Sequence, residues 1–105
     1  MRIYIAGPYT KGDVAQNVKE ACEIANDIFN EFGLIPFVPH LTHFWHMMFP
    51  QSWETWMDYD KEWLKVCNVL YRLPGESKGA DIEEEFARGL GIPIVHDFYE
   101  LEKLL

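Results

Sequence analysis

The sequence has little positive charge, few cysteines and no long apolar run. Its 105 residues include 9 Lys and Arg against 17 Asp and Glu, which gives a formal net charge of −8. A protein that binds DNA or RNA needs a basic surface, so this balance argues against a nucleic-acid polymer as partner. A nucleoside or mononucleotide needs only a few local donors and is compatible with this charge. No apolar run approaches the roughly 20 residues of a membrane-spanning helix, and we expect no membrane partner.

The two cysteines, Cys22 and Cys67, both fall on apolar faces of predicted helices. This placement is typical of buried free thiols in a reducing compartment rather than of a disulfide framework. Residues 1–6 predict a strand rather than a signal peptide, because Gly7 and Pro8 interrupt the apolar run. We therefore expect a cytoplasmic protein.

The chain does contain enough apolar material for one ordinary core. Hydrophobic residues make up 49% of it and aromatic residues 15%. A chain of this length is expected to form a single domain, residues 1–105, without disulfides to hold it together. No internal repeat or linker interrupts it.

Short apolar runs alternate along the chain with segments of helical spacing. The runs predict strands over residues 2–6, 34–38, 69–71 and 92–95. The helical segments have predicted N-caps at Asp13, Ser52 and Asp97. Gly33 is expected to end the first helix, and Pro36 favours an edge position for the second strand. Residues 40–50 predict a loop.

This alternation predicts an α/β fold in which a four-stranded parallel sheet, in the order 2-1-3-4, is covered by helices on both faces. Ligands bind such sheets beyond the carboxyl ends of the strands, where the strand order reverses. The reversal lies here between strands 1 and 3. The loops after these strands, residues 7–12 and 73–79, are the richest in Gly and Pro. Both observations predict one site at this end of the sheet.

Glu83 is the first candidate for chemistry in that site. It follows the predicted core stripe of the third helix, which consists of Ile82, Phe86 and Leu90. Successive helical residues turn by about 100°, so Glu83 borders the core side and can face a cleft, whereas Glu84 and Glu85 point elsewhere. The alternative is that all three glutamates simply suit the first turns of a helix.

Asp60 is the second candidate, because it shares a helical stripe with apolar residues. The stripe contains Trp53, Trp56, Met57, Trp63, Leu64 and Cys67. A carboxylate on a buried face is costly unless it is paired or used. A different helix phase or a capping role is the alternative. Together, Asp60 and Glu83 would form a carboxylate pair of the kind that cleaves glycosidic bonds.

Polar groups in the two loops are candidates for binding. Tyr9 and Thr10 offer hydroxyl groups, residues 11–12 can help to hold a phosphate, and Asn17 lies at the edge of the inner face of the first helix. Residues 77–80 lead into the third helix, whose free N–H groups favour an anion or a polar sugar. Ordinary turn chemistry is the alternative for each of them.

Three histidines, His40, His43 and His46, lie between the second strand and the second helix. Their spacing suits neither one helix face nor the HExxH pattern, so we expect no metal site. His40 directly follows strand 2 and is expected to border the pocket. The aromatic segment 43–49 is expected to act as a lid or a subunit contact.

Several of these motifs resemble the nucleoside 2-deoxyribosyltransferases and the related deoxynucleoside 5'-monophosphate N-glycosidases. Residues 4–9, Tyr-Ile-Ala-Gly-Pro-Tyr, are similar to the opening of the transferases. Residues 60–64 and 67–70 are similar to a glycosidase segment in which D-x-x-W-L precedes A-D and hydrophobic residues. Residues 77–87 match the S-x-G-x-x-x-E-x-G-x-A block, with Glu83 at the nucleophile position. The chain most resembles a branch of short phage and bacterial proteins with G-P-Y, P-H-L, R-L-P-G and S-x-G-A-x-x-E signatures.

The resemblance implies a flavodoxin-like three-layer fold, a homodimer or higher homo-oligomer, and no cofactor. It implies that Glu83 attacks the anomeric carbon, that Asp60 assists proton transfer to the base, and that Tyr9 contacts the sugar or the catalytic carboxylate. Ser77 and Gly79 would hold a 5'-hydroxyl or phosphate. The full set of implied and expected binding residues is Gly7, Pro8, Thr10, Asn17, His40, Ser77, Gly79 and Ala80.

Three departures from the family pattern are present. Asn68 and Glu85 stand where the family has aspartate and glycine. The chain also ends soon after strand 4, where the family's enzymes continue into a segment that supplies an Asn or Ser to the neighbouring subunit.

The sequence therefore predicts an N-glycosidase or N-(deoxy)ribosyltransferase that acts on a nucleoside or nucleoside 5'-monophosphate, with hydrolysis favoured because residues 10–11 and Ser77 can seat a phosphate. A non-catalytic nucleotide-binding module of the same fold is the first alternative. An interaction protein that uses its aromatic segment as an interface is the second.

Overall fold

A four-stranded sheet forms the middle layer of the computed structural model, which describes all residues from 1 to 105. Its strands are Arg2–Ala6 (β1), Ile35–Phe37 (β2), Val69–Arg72 (β3) and Ile94–Val95 (β4). They lie in the order β2-β1-β3-β4, and each neighbouring pair is parallel. The predicted α/β class, strand order and edge position of Pro36 are confirmed.

Five α-helices connect and cover the strands. They are Val14–Asp27 (α1), His43–Met48 (α2), Trp53–Leu64 (α3), Lys78–Gly89 (α4) and Phe98–Glu102 (α5). A π-helical turn, Ile28–Phe32, extends α1, and a 3-10 turn, Pro39–Thr42, follows β2. None of the helices combines the length and the apolar character that a membrane crossing requires.

Short polar side chains begin the helices where the sequence predicts them. Asp13, Ser52 and Asp97 each accept a hydrogen bond from the backbone N–H three residues later, which satisfies one of the free donors of the first helical turn. Gly33 ends the first helical segment with a φ of 66°, in the left-handed region that favours glycine. These predicted boundaries are confirmed.

The side chains of β1 alternate between two apolar layers. Ile3 and Ile5 pack on one face of the sheet, in a cluster that contains residues of α1 and α5. Tyr4 and Ala6 pack on the other face, with residues of α3 and α4. The three-layer arrangement is therefore confirmed, and the alternation places the ring of Tyr4 beneath α4.

The predicted loop over residues 40–50 is wrong, because most of this segment is helical. Pro39 lies in the first turn of the 3-10 helix, where its missing N–H has no intrahelical partner to lose. Residues 43–48 then form α2, which has no buried residue. The histidines and aromatic residues of the segment thus lie on a short helix at the surface.

The predicted core stripe of α4 is right for Phe86, which packs against the core, and wrong for Leu90, which is 49% exposed just beyond the end of the helix at Gly89. The fully buried residues of α4 are Ala80, Glu83 and Ala87. On α3, Trp63 is also largely exposed, whereas Met57 and Leu64 are buried as expected.

Candidate active site

A cleft of about 280 Å³ lies beyond the carboxyl ends of β1 and β2 and beside the start of α4. Eight of the predicted site residues line it: Gly7, Tyr9, Thr10, His40, Asp60, Gly79, Ala80 and Glu83. The other three, Pro8, Asn17 and Ser77, do not line the cleft but hold the segments that do. The cleft lies at the predicted end of the sheet, but its second wall follows β2 rather than β3, since residues 73–78 do not line it.

Glu83 lies on the buried side of α4 and is only 5% exposed. The hydroxyl of Tyr4 donates a hydrogen bond to its Oε2. Burial raises the pKa of Glu83 from 4.5 to about 8, and the nearby Asp60 raises it further, while the Tyr4 hydrogen bond and the cation of Arg72 oppose the rise. Glu83 therefore holds a proton near neutral pH in the free protein.

The two neighbouring glutamates form ion pairs with arginines instead. Glu84 pairs with Arg72 and Arg88, and Glu85 pairs with Arg88 at 2.7 Å. Glu83 is the only one of the three that lines the cleft. The structure thus separates Glu83 from its neighbours as the sequence predicts.

Asp60 reaches the same cleft from α3. Burial raises the pKa of its carboxyl from 3.8 to about 7. Its Oδ1 atom is buried and has no hydrogen-bond partner within the protein. The cleft therefore contains two carboxyl groups that exchange protons in the neutral range and influence each other's titration.

Tyr4, which makes the most direct contact with Glu83, is not among the residues that the sequence predicts for the site. The available signal was a tyrosine within an otherwise aliphatic buried strand, because a buried tyrosine hydroxyl usually has a polar partner. Burial, followed by the charge of Glu83, raises the pKa of Tyr4 well above its usual value. Its hydroxyl therefore stays protonated and acts as a donor.

Tyr9, which the resemblance assigns to the sugar or the carboxylate, lines the cleft but contacts Nδ1 of His43 through its hydroxyl. Asn17 donates from Nδ2 to the carbonyl oxygens of Tyr9 and Lys11, at 2.9 and 2.8 Å. The carbonyl of Pro8 lies 3.0 Å from Nε2 of His40. Asn17 and Pro8 thus shape the loop after β1 rather than the cleft itself.

Gly7 lets the loop after β1 pass close to β3, whereas Gly79 is not required by close packing. A Cβ at position 7 would lie 2.8 Å from Cβ of Leu73, so only glycine fits between the ends of β1 and β3. A Cβ at position 79 would meet Sδ of Met57 at 3.5 Å. Ser77 begins α4 by accepting a hydrogen bond from Ala80 N at 3.1 Å, so its hydroxyl stabilises the helix start.

The three histidines have separate partners. His40 contacts Pro8 and His43 contacts Tyr9, while Nδ1 of His46 lies 2.8 Å from Nε1 of Trp56. No group of three or more His, Cys, Asp or Glu side chains is arranged to hold a metal ion.

A further wall of the cleft comes from residues that sequence reasoning assigned to a loop or to the core. It contains Pro39, Thr42, His46, Gln51, Trp53, Trp56 and Met57. Indole rings offer flat apolar faces on which a planar ring can stack. The aromatic content of this segment was the available signal, but its helical path could not be read from the sequence.

Residues 1–96 match the family described as a domain of unknown function, DUF4406. No curated protein matches the sequence. Among solved structures, a 2-deoxyribosyltransferase from the psychrotolerant bacterium Bacillus psychrosaccharolyticus is similar, with a TM-score of 0.63 and 20% identity over 90% of this chain and 69% of that chain. That enzyme is described as a biocatalyst for the synthesis of antiviral and antitumoral nucleosides. The likeness confirms the fold, and the match to residues 1–96 shows that this chain belongs to the DUF4406 family.

Proposed function

We propose that the protein is an N-glycosidase or N-(deoxy)ribosyltransferase that acts on a nucleoside or nucleoside 5'-monophosphate. The observation that supports this most is the buried carboxyl of Glu83, which accepts a hydrogen bond from Tyr4 in a cleft that it shares with Asp60. The fold is that of a 2-deoxyribosyltransferase, whose activity is of this class.

In the proposed reaction, ionised Glu83 attacks the anomeric carbon, and the bond from that carbon to the base breaks. The protonated carboxyl of Asp60 gives its proton to the leaving base. A covalent glycosyl–Glu83 intermediate results, and water or a second base attacks the same carbon to release Glu83. The ionised Asp60 accepts the proton of the attacking group, which returns both carboxyls to their starting forms. Tyr4 holds the attacking oxygen in place.

The active form requires that Glu83 has lost its proton while Asp60 keeps one. Below a pH of about 7 both carboxyls are protonated, and above about 8 both are ionised. The pair therefore holds a single proton between these values. We expect the pH profile of kcat/KM to be bell-shaped with its maximum in this interval.

The remaining walls of the cleft suit the other parts of such a substrate. Trp53 and Trp56 can stack on a base. The backbone N–H group of Gly79, at the start of α4, suits a 5'-hydroxyl or phosphate. Thr10 lines the cleft and can donate to the same group. These groups favour hydrolysis of a nucleotide over transfer between nucleosides.

A non-catalytic nucleotide-binding module is the second candidate. It is favoured by the protonated state of Glu83 at neutral pH in the free protein, since a neutral carboxyl can bind a ligand but is a poor nucleophile. Calorimetric binding of a nucleoside monophosphate without any release of base would support this module over the enzyme.

We further propose that the protein forms a homodimer through the exposed apolar residues around α2. They are Leu41, Phe44, Trp45, Met47, Met48 and Phe49, here called the α2 surface, and they are 44–68% exposed. At ~200 Å² per large apolar side chain this surface presents roughly 700 Å², close to what each partner of a stable dimer buries. Residues 39–53 contain no Asp, Glu, Lys or Arg, so two chains of net charge −8 can meet there with little repulsion.

Incubation with a panel of nucleosides and nucleoside 5'-monophosphates, followed by chromatography for free base, tests the proposed activity. We expect release of base by the wild type and by Glu85→Gln, whose side chain is exposed. We expect none from Glu83→Gln, because an amide cannot act as the nucleophile. Equal release by wild type and Glu83→Gln would contradict the proposal, as would the absence of release from every substrate. The cytoplasmic location and the relation to short phage and bacterial proteins stay predictions.

A further inference from the structure

His40 has one ring nitrogen with a partner and one without. The side chain is 4% exposed, and its Nε2 lies 3.0 Å from the carbonyl oxygen of Pro8. Its Nδ1 is buried and has no hydrogen-bond partner within the protein. Most buried polar atoms have a partner, so an unpaired one in the wall of a cleft calls for an explanation.

The contact with Pro8 determines what the unpaired nitrogen can do. A carbonyl oxygen only accepts, so Nε2 must carry the hydrogen. Burial lowers the pKa of His40 and outweighs the backbone carbonyls of Pro8 and Gly7, which act in the opposite direction, so the ring is neutral at pH 7. In a neutral imidazole whose Nε2 is protonated, Nδ1 carries a lone pair and can only accept. His40, which lines the cleft, therefore carries a hydrogen-bond acceptor that no protein group uses.

A second unpaired atom lies in the same cleft. Oδ1 of Asp60 is buried and has no partner, and Asp60 and His40 both line the cleft. Other polar groups of the wall have partners: the hydroxyl of Tyr9 contacts His43, and Nδ1 of His46 contacts Trp56. Among the buried side-chain atoms of the cleft residues, these two are the ones left for a ligand to complement.

We propose that His40 is a specificity-determining residue whose Nδ1 accepts a hydrogen bond from an O–H or N–H group of the bound nucleoside, with Asp60 as a second polar partner. The inference rests on the proposed function for the class of ligand. The donor is a sugar hydroxyl or an N–H group of the base, because both present the same chemistry to a neutral imidazole nitrogen.

Nitrogen-15 NMR of the histidine side chains in the full-length protein tests this directly. The Glu83→Gln background prevents consumption of the ligand. In the free protein we expect a protonated Nε2 and an unprotonated Nδ1 at His40. The probes are the four 2'-deoxynucleosides, their 3'-deoxy analogues and purine 2'-deoxyriboside, which lacks the exocyclic amine of the adenine nucleoside. We expect a bound nucleoside to shift the Nδ1 resonance, and the analogue that fails to shift it identifies the donor.

Two variants of His40 separate the acceptor from the structural contact. His40→Gln places an amide N–H near the Pro8 carbonyl but removes the acceptor. His40→Asn places an amide oxygen near the position of Nδ1 but gives up the Pro8 contact. We expect His40→Gln to weaken binding of the donor-bearing nucleoside by roughly 10- to 100-fold, with no change for the analogue that lacks the donor. His40→Asn should keep part of this discrimination.

Several results would overturn the inference: a protonated Nδ1 in the free protein, a bound nucleoside that leaves the Nδ1 resonance unchanged, equal losses for both ligands in His40→Gln, or no binding of any probe. Release of base by the wild type with an unchanged Nδ1 resonance would overturn this inference alone. A shifted Nδ1 resonance without release of base would support it and contradict the proposed catalysis.

Discussion

Glu83 combines a buried position with a group that is normally charged, and this combination has a free-energy cost. A carboxyl that is 5% exposed prefers the neutral form, which is why its pKa rises to about 8. The hydrogen bond from Tyr4 favours the ionised form and limits that rise. The balance between burial and the hydrogen bond, together with the charges of Asp60 and Arg72, sets how much ionised Glu83 is available at a given pH.

Tyr4→Phe should therefore reduce turnover without preventing the ligand from binding. Loss of the hydrogen bond raises the pKa of Glu83. A smaller fraction of the protein then has Glu83 ionised while Asp60 is protonated. We expect kcat/KM to fall roughly 10- to 100-fold and the alkaline limb of the pH profile to move to higher pH. The control is Tyr71→Phe, a buried tyrosine on the other face of the sheet. An unchanged pH profile in Tyr4→Phe would contradict this role.

The raised pKa of Glu83 also makes a prediction for stability. Because the folded-state pKa lies above the unfolded value of 4.5, folding retains a proton that the unfolded chain releases. The free energy of unfolding therefore falls as pH rises from about 4.5 to about 8, at about 1.4 kcal/mol per unit of the pKa difference. We expect Glu83→Gln to gain a few kcal/mol over wild type between pH 5 and pH 8.

Urea unfolding at the two pH values measures this difference. Glu85→Gln, which removes an exposed charge, should follow the wild type within about 0.5 kcal/mol at both pH values. If the free energy of unfolding changed equally with pH in wild type and Glu83→Gln, the raised pKa of Glu83 would be contradicted.

At the level of elements, small residues bring α4 and the loop after β1 close to the sheet. Ala80 and Ala87 flank Glu83 on the buried side of α4, so the helix lies near enough for Glu83 to reach Tyr4. Gly7 does the same for the loop after β1, which passes against Leu73. The cleft therefore depends on these close approaches as much as on its polar groups.

Gly7→Ala should destabilise the protein and distort the cleft. The new Cβ would lie 2.8 Å from Cβ of Leu73, which cannot move without shifting backbone. We expect a loss of about 1–3 kcal/mol in urea unfolding. Gly89→Ala is the matched control, since no atom lies within 4 Å of its Cβ, and it should be neutral or slightly stabilising. Equal stabilities for the two variants would contradict the close packing described for Gly7.

The sequence predicts elements that depend on local chemistry and fails where packing decides. The caps at Asp13, Ser52 and Asp97 are local, since a side chain bonds to a backbone N–H three residues away. Residues 43–48 form a helix with no buried residue, so no apolar stripe in the sequence indicates it. On α4 the buried apolar residues are the small Ala80 and Ala87, a choice that depends on packing against the sheet.

The same limit applies to the site. Asp60 stands out in the sequence because it interrupts an apolar stripe, and Glu83 because it borders one. Tyr4 does not, because a tyrosine in a strand is ordinary until the strand order places it under α4. The partners of Tyr9 and His40 are 34 and 32 residues away in the chain, beyond the reach of any local pattern.

For the molecule as a whole, the α2 surface contrasts with the acidic remainder of the chain. We expect sedimentation analysis to give twice the 12.4 kDa mass of one chain for the wild type. Phe44→Ser combined with Met48→Ser should shift the population towards the monomer, because both side chains are more than 60% exposed on this surface. Tyr99→Ser, equally exposed on α5, should leave the dimer intact. A monomeric wild type, or a dimer unaffected by the paired substitution, would contradict the proposed contact.

The sequence predicts the topology of the sheet better than any other feature of the molecule. Alternating strands and helices allow few arrangements other than a parallel sheet with both faces covered. This topology places the cleft at the carboxyl ends of the strands, and the likeness to a 2-deoxyribosyltransferase fold supports it. The identity of the base and sugar depends on single contacts in the cleft and is beyond what topology predicts.

The most direct test of the central claim is to trap and locate the covalent intermediate. A nucleoside or nucleotide that the wild type cleaves is used with an electron-withdrawing substituent at C2' of the sugar, which slows release of the glycosyl group. We predict that intact-mass spectrometry will show one added glycosyl unit and that peptide mapping will place it on Glu83. Attachment to another residue, or release of base from the parent substrate with no adduct on Glu83, would contradict the account.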